Sequence, residues 1–288
     1  MRSREFILDG HPFGGEHPVG LIAWETPSIT DKTGDAERAG HGLIAGRDRK
    51  RGTLWRFKLT TPYTHTEMDA RDALVALAAV WAASADLPPG GLQTLRYKTA
   101  DRWRRVYGRA RAWAPEEGSP LVSRGRIDVE ADFQVMEPWV YDDDEETLTF
   151  VVAPGVSQGL VFPSAPPFNW SKEGSPQAKF ATVDGDAPAP VVVTFEGPVL
   201  DPWVEIGGAR VALTGTVPAG RAVTVDSRSF ETVWSKGASG SAGGMLAPRT
   251  RLADARLSPG RQTVNVGGVD VTGTAKVSVS WRPTWRSV

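Results

Sequence analysis

Apolar and polar residues alternate strictly in three segments of the first half of the chain. Such alternation is typical of half-buried β-strands, because successive side chains point to opposite faces of a sheet. It runs through residues 126–135 and 53–60, and in residues 102–113 it places Trp103, Tyr107 and Trp113 on one side. The three segments therefore predict an antiparallel sheet. The apolar faces of the first two consist of Ile127, Val129, Ala131, Phe133 and Val135, and of Trp55, Phe57 and Leu59.

A helical period interrupts these strands. Leu74, Leu77, Ala78 and Trp81 follow the i, i+3, i+4, i+7 spacing of an amphipathic helix. Thr64 and Glu67 have the spacing of a capping box, and the Pro-Pro-Gly-Gly sequence within residues 87–91 ends the segment. The spacing predicts one helix at about residues 66–85.

The second half of the chain has a different pattern of residues. Prolines divide it into short runs rich in Val and Thr, and no helical period is evident. Short strands separated by turn residues predict a β-sandwich. The candidate strands are residues 191–195, 209–214, 221–226, 229–234, 262–266 and 274–281.

The acidic run at residues 142–146 marks the predicted domain boundary, because adjacent like charges repel and stay solvated. We expect an antiparallel β domain with one helix at residues 1–144 and a β-sandwich at residues 145–288. The predicted fold class is therefore mainly β.

Charge and composition exclude several classes of function. The chain has 33 Lys and Arg against 34 Asp and Glu, so it lacks a global positive field for nucleic acid or anionic membranes. It contains no Cys, which excludes disulfides, thiolate metal sites and cysteine nucleophiles. No apolar run approaches the ~20 residues that span a bilayer, and the charged start does not resemble a signal peptide. We expect synthesis in the cytoplasm and no membrane insertion.

Metal sites and His-based catalysis find little support in the sequence. The four histidines all lie in the first 65 residues, so a His-based triad within the second domain is excluded. Asp9, His11, Glu16 and His17 could ligate a metal, but the surrounding glycines and prolines favour a polar loop. The acidic run at residues 142–146 lacks the spacing of a calcium loop. We expect no metal and no cofactor.

Other catalytic interpretations are weaker. The glycine-rich residues 236–244 begin rather than end with Lys, which favours a flexible loop over a phosphate loop. Asp128, Glu130 and Asp132 have the even spacing of the solvated face of one strand. A glycosidase or esterase using Asp128, Asp201 or Ser239 ranks last, because no motif assembles the required roles.

The densest basic segment lies among aromatic residues on the strand at 102–113. Arginines with aromatics can bind single-stranded nucleic acid, but the alternation divides these arginines between two faces. Stacking on tryptophan or ion pairs between subunits is therefore favoured. The candidate subunit-interface residues are Arg105, Arg109 and Arg111, on the aromatic face, whereas Arg102 and Arg104 lie on the other face.

Four blocks of the second half resemble the second domain of phage distal tail proteins in order and spacing. They are residues 197–204, 218–226, 257–266 and 275–285. Residues 26–30, 41–46, 53–60 and 137–141, together with the helix, are similar to the ring-forming domain of that family in phages of actinobacteria. At Glu137 related chains often carry Asp.

The resemblance implies a structural component of a long, non-contractile phage tail, without catalytic activity. It implies a homo-hexameric ring that continues the tail tube, lets DNA pass through its lumen and carries a galectin-like β-sandwich. The implied partners are the tail tube protein and the tail-tip or baseplate hub protein, with the tape measure and receptor-binding proteins as further candidates. The implied location is the virion tail tip.

A carbohydrate-binding sandwich used in host attachment is the alternative. It is motivated by the chance that Trp203, Trp234, Trp281 and Trp285 are exposed. Tryptophans on alternating strands more often pack in the core, so most of them are expected to be buried.

Overall fold

The computed structural model describes residues 4–26, 31–32, 35–37, 42–46, 49–50, 52–62, 66–100, 102–152, 177–270 and 272–286. Parts of the motifs at 26–30 and 41–46, namely residues 27–30 and His41, lie outside these ranges. The chain forms two compact units, Met1–Asp143 with Arg286–Val288, and Asp144–Trp285. The predicted ranges 1–144 and 145–288 differ from these units at Asp144 and at the last three residues.

The first unit is an antiparallel β structure with one α-helix, α1 (Glu67–Ala82). The helix continues into a 3₁₀ turn at Ala83–Asp86, and a second 3₁₀ turn covers Val122–Arg124. The strands are β1 (Glu5–Leu8), β2 (His11–Gly14), β3 (Gly20–Glu25), β4 (Asp31–Lys32), β5 (Ala36–Glu37), β6 (Leu43–Ile44), β7 (Arg49–Lys50), β8 (Leu54–Thr60), β9 (Gln93–Thr99), β10 (Arg102–Pro115), β11 (Asp128–Val135) and β12 (Val140–Asp142).

The main sheet of this unit has the strand order β2-β1-β9-β10-β11-β8-β3, and β12 pairs with β10. The end strands β2 and β3 are consecutive in the chain, and the Gly14 amide donates to the Val19 carbonyl in the turn between them, at 2.7 Å. The sheet therefore curls around an aromatic core, in which the Phe6 and Phe13 ring centroids lie 5.2 Å apart. Other buried aromatic residues of this core are Trp55, Phe57, Tyr97 and Phe133.

Helix α1 covers one side of this core. Its buried residues are Leu74, Leu77 and Trp81, as the helical period predicts, together with Ala70, whereas Ala78 of the predicted face is half-buried. The N-cap is Thr66, whose hydroxyl accepts from the Asp69 amide at 3.2 Å. The predicted cap at Thr64 was therefore wrong, because the chain enters the helix two residues later; Thr64 itself lies outside the described residues.

A β-bulge in β10 changes the face on which Trp113 lies. Ala110 pairs with Phe133 and Trp113 pairs with Ala131, so β10 has one more residue than β11 between these pairs. Trp113 consequently lies on the core side, 5.5 Å from Trp81 between ring centroids. The predicted single face of Trp103, Tyr107 and Trp113 was wrong, because simple alternation cannot continue through a bulge.

The second unit contains all six strands predicted for it, with shifted ends, and several more. Short 3₁₀ turns occur at Gly243–Met245 and Leu252–Asp254. The strands are β13 (Glu146–Val151), β14 (Gln177–Val183), β15 (Ala189–Glu196), β16 (Val199–Ile206), β17 (Ala209–Ala212), β18 (Thr216–Val217), β19 (Ala222–Asp226), β20 (Glu231–Lys236), β21 (Arg256–Leu257), β22 (Gly260–Val269), β23 (Lys276–Trp281) and β24 (Thr284–Trp285).

Two antiparallel sheets of the second unit share one hydrophobic core. One has the order β13-β23-β15-β19-β20 with β21 beside β15, and the other has the order β14-β22-β16-β17 with β18 beside β16. Inward residues of both sheets belong to the same buried cluster, including Val193, Phe195, Val204 and Val266. The unit is therefore a β-sandwich, as predicted.

Candidate functional site

The His and carboxylate cluster near the start of the chain forms contacts with the first sheet. His17 Nε2 lies 3.2 Å from Glu5 Oε1, and Asp9 Oδ1 accepts from the Thr94 amide at 2.8 Å. Glu5, Glu16 and His17 help to line an open cavity of about 890 Å3. Among the described residues, no three His, Asp or Glu side chains are grouped to hold a metal ion.

The carboxylates considered for catalysis hold turns and strands together. Asp128 Oδ1 accepts from Arg126 Nε at 3.0 Å and from the Thr60 hydroxyl at 2.5 Å. Burial alone would raise the pKa of Asp128, but these hydrogen bonds outweigh it and lower the pKa. Asp201 Oδ1 accepts from the Gly215 amide at 2.7 Å.

The glycine-rich segment at residues 236–244 folds back along β20. The Trp234 amide donates to the Gly240 carbonyl at 3.0 Å, and the Ala242 amide donates to the Thr232 carbonyl at 2.8 Å. Ala242 is buried in the sandwich core. Residues 237–242 therefore form a loop after β20, and the part from Gly240 to Ala242 pairs with that strand.

Arg105, the first candidate interface residue, is paired within its own chain. Its guanidinium binds the Asp143 carboxylate, with Nε at 2.8 Å from Oδ1, and Arg96 binds the other oxygen of the same carboxylate. The Asp143 side chain is only 9% exposed. Burial alone would raise the pKa of Asp143, but the hydrogen bonds from both arginines outweigh it and hold the pKa below its usual value. We call Arg96, Arg105 and Asp143 the Asp143 clamp.

Arg109, the second candidate, holds the turn that follows the helix. Its Nε donates to the Gly91 carbonyl at 2.9 Å, and its Nη2 donates to the Pro88 carbonyl at 2.5 Å. A guanidinium suits this role because its fixed fork of N–H donors can reach several carbonyls at once. Arg109 therefore stabilises the Pro-Pro-Gly-Gly turn.

Arg111, the third candidate, lies at the β10 bulge and is exposed. No carboxylate of a described residue forms an ion pair with it. The structure thus brings Arg105 and Arg109 to the same face of β10, each with partners in its own chain, and leaves Arg111 apart. Their role at a subunit interface stays a prediction, with Arg111 as the member best placed to reach another chain.

Sequence reasoning missed Asp143 as a partner of the basic strand. The acidic run was interpreted as a domain boundary and tested against a calcium loop, but not as a partner of the arginines. In the structure β12 pairs with β10, so that Arg105 lies opposite Tyr141, two residues before Asp143. The available signal was charge complementarity between the basic segment and the acidic run. Arg96 was missed because its own strand, β9, was not predicted.

The tryptophans that motivated carbohydrate binding offer no exposed platform. Trp203 and Trp281 are buried, whereas Trp234 and Trp285 are half-buried. The guanidinium of Arg210 covers Trp203, with Cζ 4.2 Å from the ring centroid.

No helix within the described ranges is long and apolar enough to cross a membrane.

No protein-family model and no curated protein matches the chain. Solved structures match it over almost its whole length. One is SPP1 Dit (gp 19.1), a paradigm of the hub adsorption apparatus in phages that infect Gram-positive bacteria. It has a TM-score of 0.59 and 12% identity, and the match covers 98% of each chain.

Two further matches come from the phage P2 baseplate in its activated conformation, with Ca and with Sr. Their TM-scores are 0.59 and 0.58, their identities are 9% and 10%, and each match covers 96% of this chain and 97% of the other. The chain therefore has the mainly β fold of phage tail hub and baseplate proteins. In particular, it has the fold of the distal tail protein Dit.

Proposed function

We propose that the chain is the distal tail adaptor of a long, non-contractile phage tail. In this proposal six copies form a ring that joins the tail tube to the tail-tip or baseplate hub, and DNA passes through the lumen. The observation that carries the proposal is the shared fold, which covers at least 96% of this chain and of each matched chain. The role is structural and needs neither a catalytic residue nor a cofactor.

Exposed apolar side chains of the first unit supply candidate surfaces for ring formation. A head-to-tail interface uses two different surfaces of each copy. The copies close into a ring when the rotation between neighbours is a whole fraction of a full turn. Met68 and Val75 on helix α1 are 70% and 62% exposed, and Ile22 on β3 is also exposed. The helix and β3 therefore offer two distinct apolar surfaces, and exposed Arg111 offers a cation for an ion pair between copies.

The remaining partners follow from the same role. The ring would contact the tail tube protein and the hub protein, while the tape measure and receptor-binding proteins are further candidates. The protein would be made in the host cytoplasm and would reside in the virion tail tip. An actinobacterial host belongs to the proposal and rests on the sequence resemblance alone.

Light scattering of the purified protein, alone and mixed with the tail tube or hub protein of the same phage, tests the proposal. We expect a species of six times the 31.0 kDa chain mass, or a complex with one of these partners. Val75→Asp should weaken the hexamer, whereas the control Val151→Asp, at an exposed position of the second unit, should not. A monomer that binds neither partner in any condition would overturn the proposal.

A further inference from the structure

The second unit carries an arginine-lined cavity that neither the fold nor the proposed ring explains. The cavity has a volume of about 450 Å3 and lies beside the Gly207–Gly208 turn between β16 and β17. Three arginines and one carboxylate line it, namely Arg210, Arg249, Arg251 and Asp254. The lining therefore has an excess of two positive charges. Such an excess in a concave site attracts anions.

The three guanidiniums are available for a ligand. No ion pair joins any of them to a carboxylate of a described residue, although Arg210 lies opposite Glu205 in the pairing of β16 with β17. The guanidinium of Arg210 instead stacks on Trp203, with 4.2 Å between Cζ and the ring centroid. Stacking on a ring face leaves the in-plane N–H groups of a guanidinium able to donate to a ligand.

The segment that carries the other two arginines is fixed to β17. The Thr250 hydroxyl accepts from the Ala212 amide at 3.2 Å and donates to the Ala212 carbonyl at 3.3 Å. The Ala247 amide also donates to the Ala212 carbonyl, at 2.9 Å. Arg249 and Arg251 flank Thr250, and Leu252 is buried in the sandwich core. Their backbone is thus held before any ligand binds, which reduces the entropic cost of binding.

The glycine turn leaves the cavity open on its other side. Gly207 and Gly208 have φ values of +57° and +83°, a left-handed conformation that favours glycine. A Cβ atom at Gly208 would meet no other atom within 4 Å, so the space in front of this residue is open, whereas a Cβ at Gly207 would lie 2.9 Å from the Arg256 carbonyl oxygen.

We propose that this cavity binds a phosphate group. Three guanidiniums around one cavity suit an acceptor with several oxygens. The excess of two charges matches one phosphate dianion, or two neighbouring phosphates of a polymer, better than a single carboxylate. The group could belong to free phosphate or to a phosphate-bearing polymer. The proposal does not depend on ring formation.

Isothermal titration calorimetry of the full-length protein tests the proposal with three probes: inorganic phosphate, polyphosphate and polyglutamate. We expect polyphosphate to bind, and the triple variant R210Q/R249Q/R251Q to bind it at least about tenfold more weakly. The matched control Arg261→Gln removes another exposed arginine of the same unit, which stacks on Phe180, and should stay within about twofold of the wild type. Binding of inorganic phosphate alone would assign the site to free phosphate.

Asp254→Asn tests the site without removing an arginine. Loss of this carboxylate should strengthen polyphosphate binding by about two- to fivefold, a gain that misfolding would not produce. The melting temperature of each variant confirms that it folds. Three results would overturn the proposal. The first is that the wild type binds neither phosphate probe. The second is that R261Q weakens polyphosphate binding as much as the triple variant does, and the third is that polyglutamate binds as tightly as polyphosphate.

Discussion

The indole ring of Trp203 lies over Gly267 on the neighbouring strand, at a distance that leaves no space for a side chain. A Cβ atom at Gly267 would lie 2.5 Å from Cζ2 of Trp203. The two residues are paired in the register of β16 with β22, and Arg210 covers the indole at 4.2 Å. Gly267 therefore lets the tryptophan lie flat against the sheet, where it is buried although it is outside the shared sandwich core.

Gly267→Ala should destabilise the second unit by about 1–3 kcal/mol, because the new methyl group must displace the indole ring. The free energy of unfolding from urea denaturation measures the effect. Gly244→Ala is the matched control, since a Cβ at Gly244 meets no atom within 4 Å. Equal stability of the two variants would show that the ring moves aside without cost.

Trp81→Ala should destabilise the first unit by about 3–5 kcal/mol, because the ring is buried between helix α1 and the aromatic core. The Trp81 ring centroid lies 6.1 Å from that of Phe57 and 5.5 Å from that of Trp113. Val75→Ala, on the exposed side of the same helix, should change the stability of the monomer by less than about 0.5 kcal/mol. An unchanged melting temperature of the Trp81 variant would contradict the burial of this ring against the aromatic core.

Asp143→Asn should lower the stability by about 1–3 kcal/mol at neutral pH, because both arginines of the Asp143 clamp lose their charged partner. The folded-state pKa of Asp143 is lowered, so its stabilising effect is fully present above its unfolded pKa of about 3.9. The effect is lost as the pH falls through the lowered folded-state pKa. The difference between the two proteins in chemical denaturation should therefore shrink below about pH 4.

The neighbouring exposed residue provides the control for this experiment. Asp144→Asn removes a carboxylate for which the structure shows no ion pair with a described residue, so its stability should follow the wild type at every pH. A constant difference between Asp143→Asn and the wild type down to strongly acid pH would rule out a stabilising role of the charge.

Arg109→Ala and Arg111→Ala should have different effects. Loss of Arg109 removes hydrogen bonds to the turn after the helix and should cost about 1–2 kcal/mol of stability. Arg111→Ala should leave the monomer within about 0.5 kcal/mol of the wild type and weaken self-association. Sedimentation velocity together with urea denaturation separates the two effects. Unchanged association of the Arg111 variant would remove this residue from the interface.

Much of the fold could be predicted because each strand or helix buries one face. The alternation in β8 and β11 and the helical period of Leu74, Leu77 and Trp81 are direct consequences of that burial. Strand β1 escaped prediction because its four residues show too little of the pattern, and β9 escaped because its buried face has only two apolar residues, Leu95 and Tyr97, beside Gln93. The β10 bulge escaped because the extra residue has no signature in the alternation.

The candidate site was harder to predict, because its contacts join residues far apart in the chain. Arg105 and Asp143 are 38 positions apart, and Arg96 and Asp143 are 47 apart. The alternation places Arg105 on the aromatic face of a predicted strand, but only the pairing of β12 with β10 brings a carboxylate to it. The position of Arg105 on an aromatic face therefore predicted that it has a partner, but it did not show that the partner lies in the same chain.

Negative-stain electron microscopy tests the central claim most directly. The purified protein would be imaged alone and after mixing with the tail tube protein of the same phage. A distal tail adaptor predicts ring-shaped particles with six-fold symmetry and an open lumen in at least one of the two samples. Particles of single-copy size in both samples would contradict it.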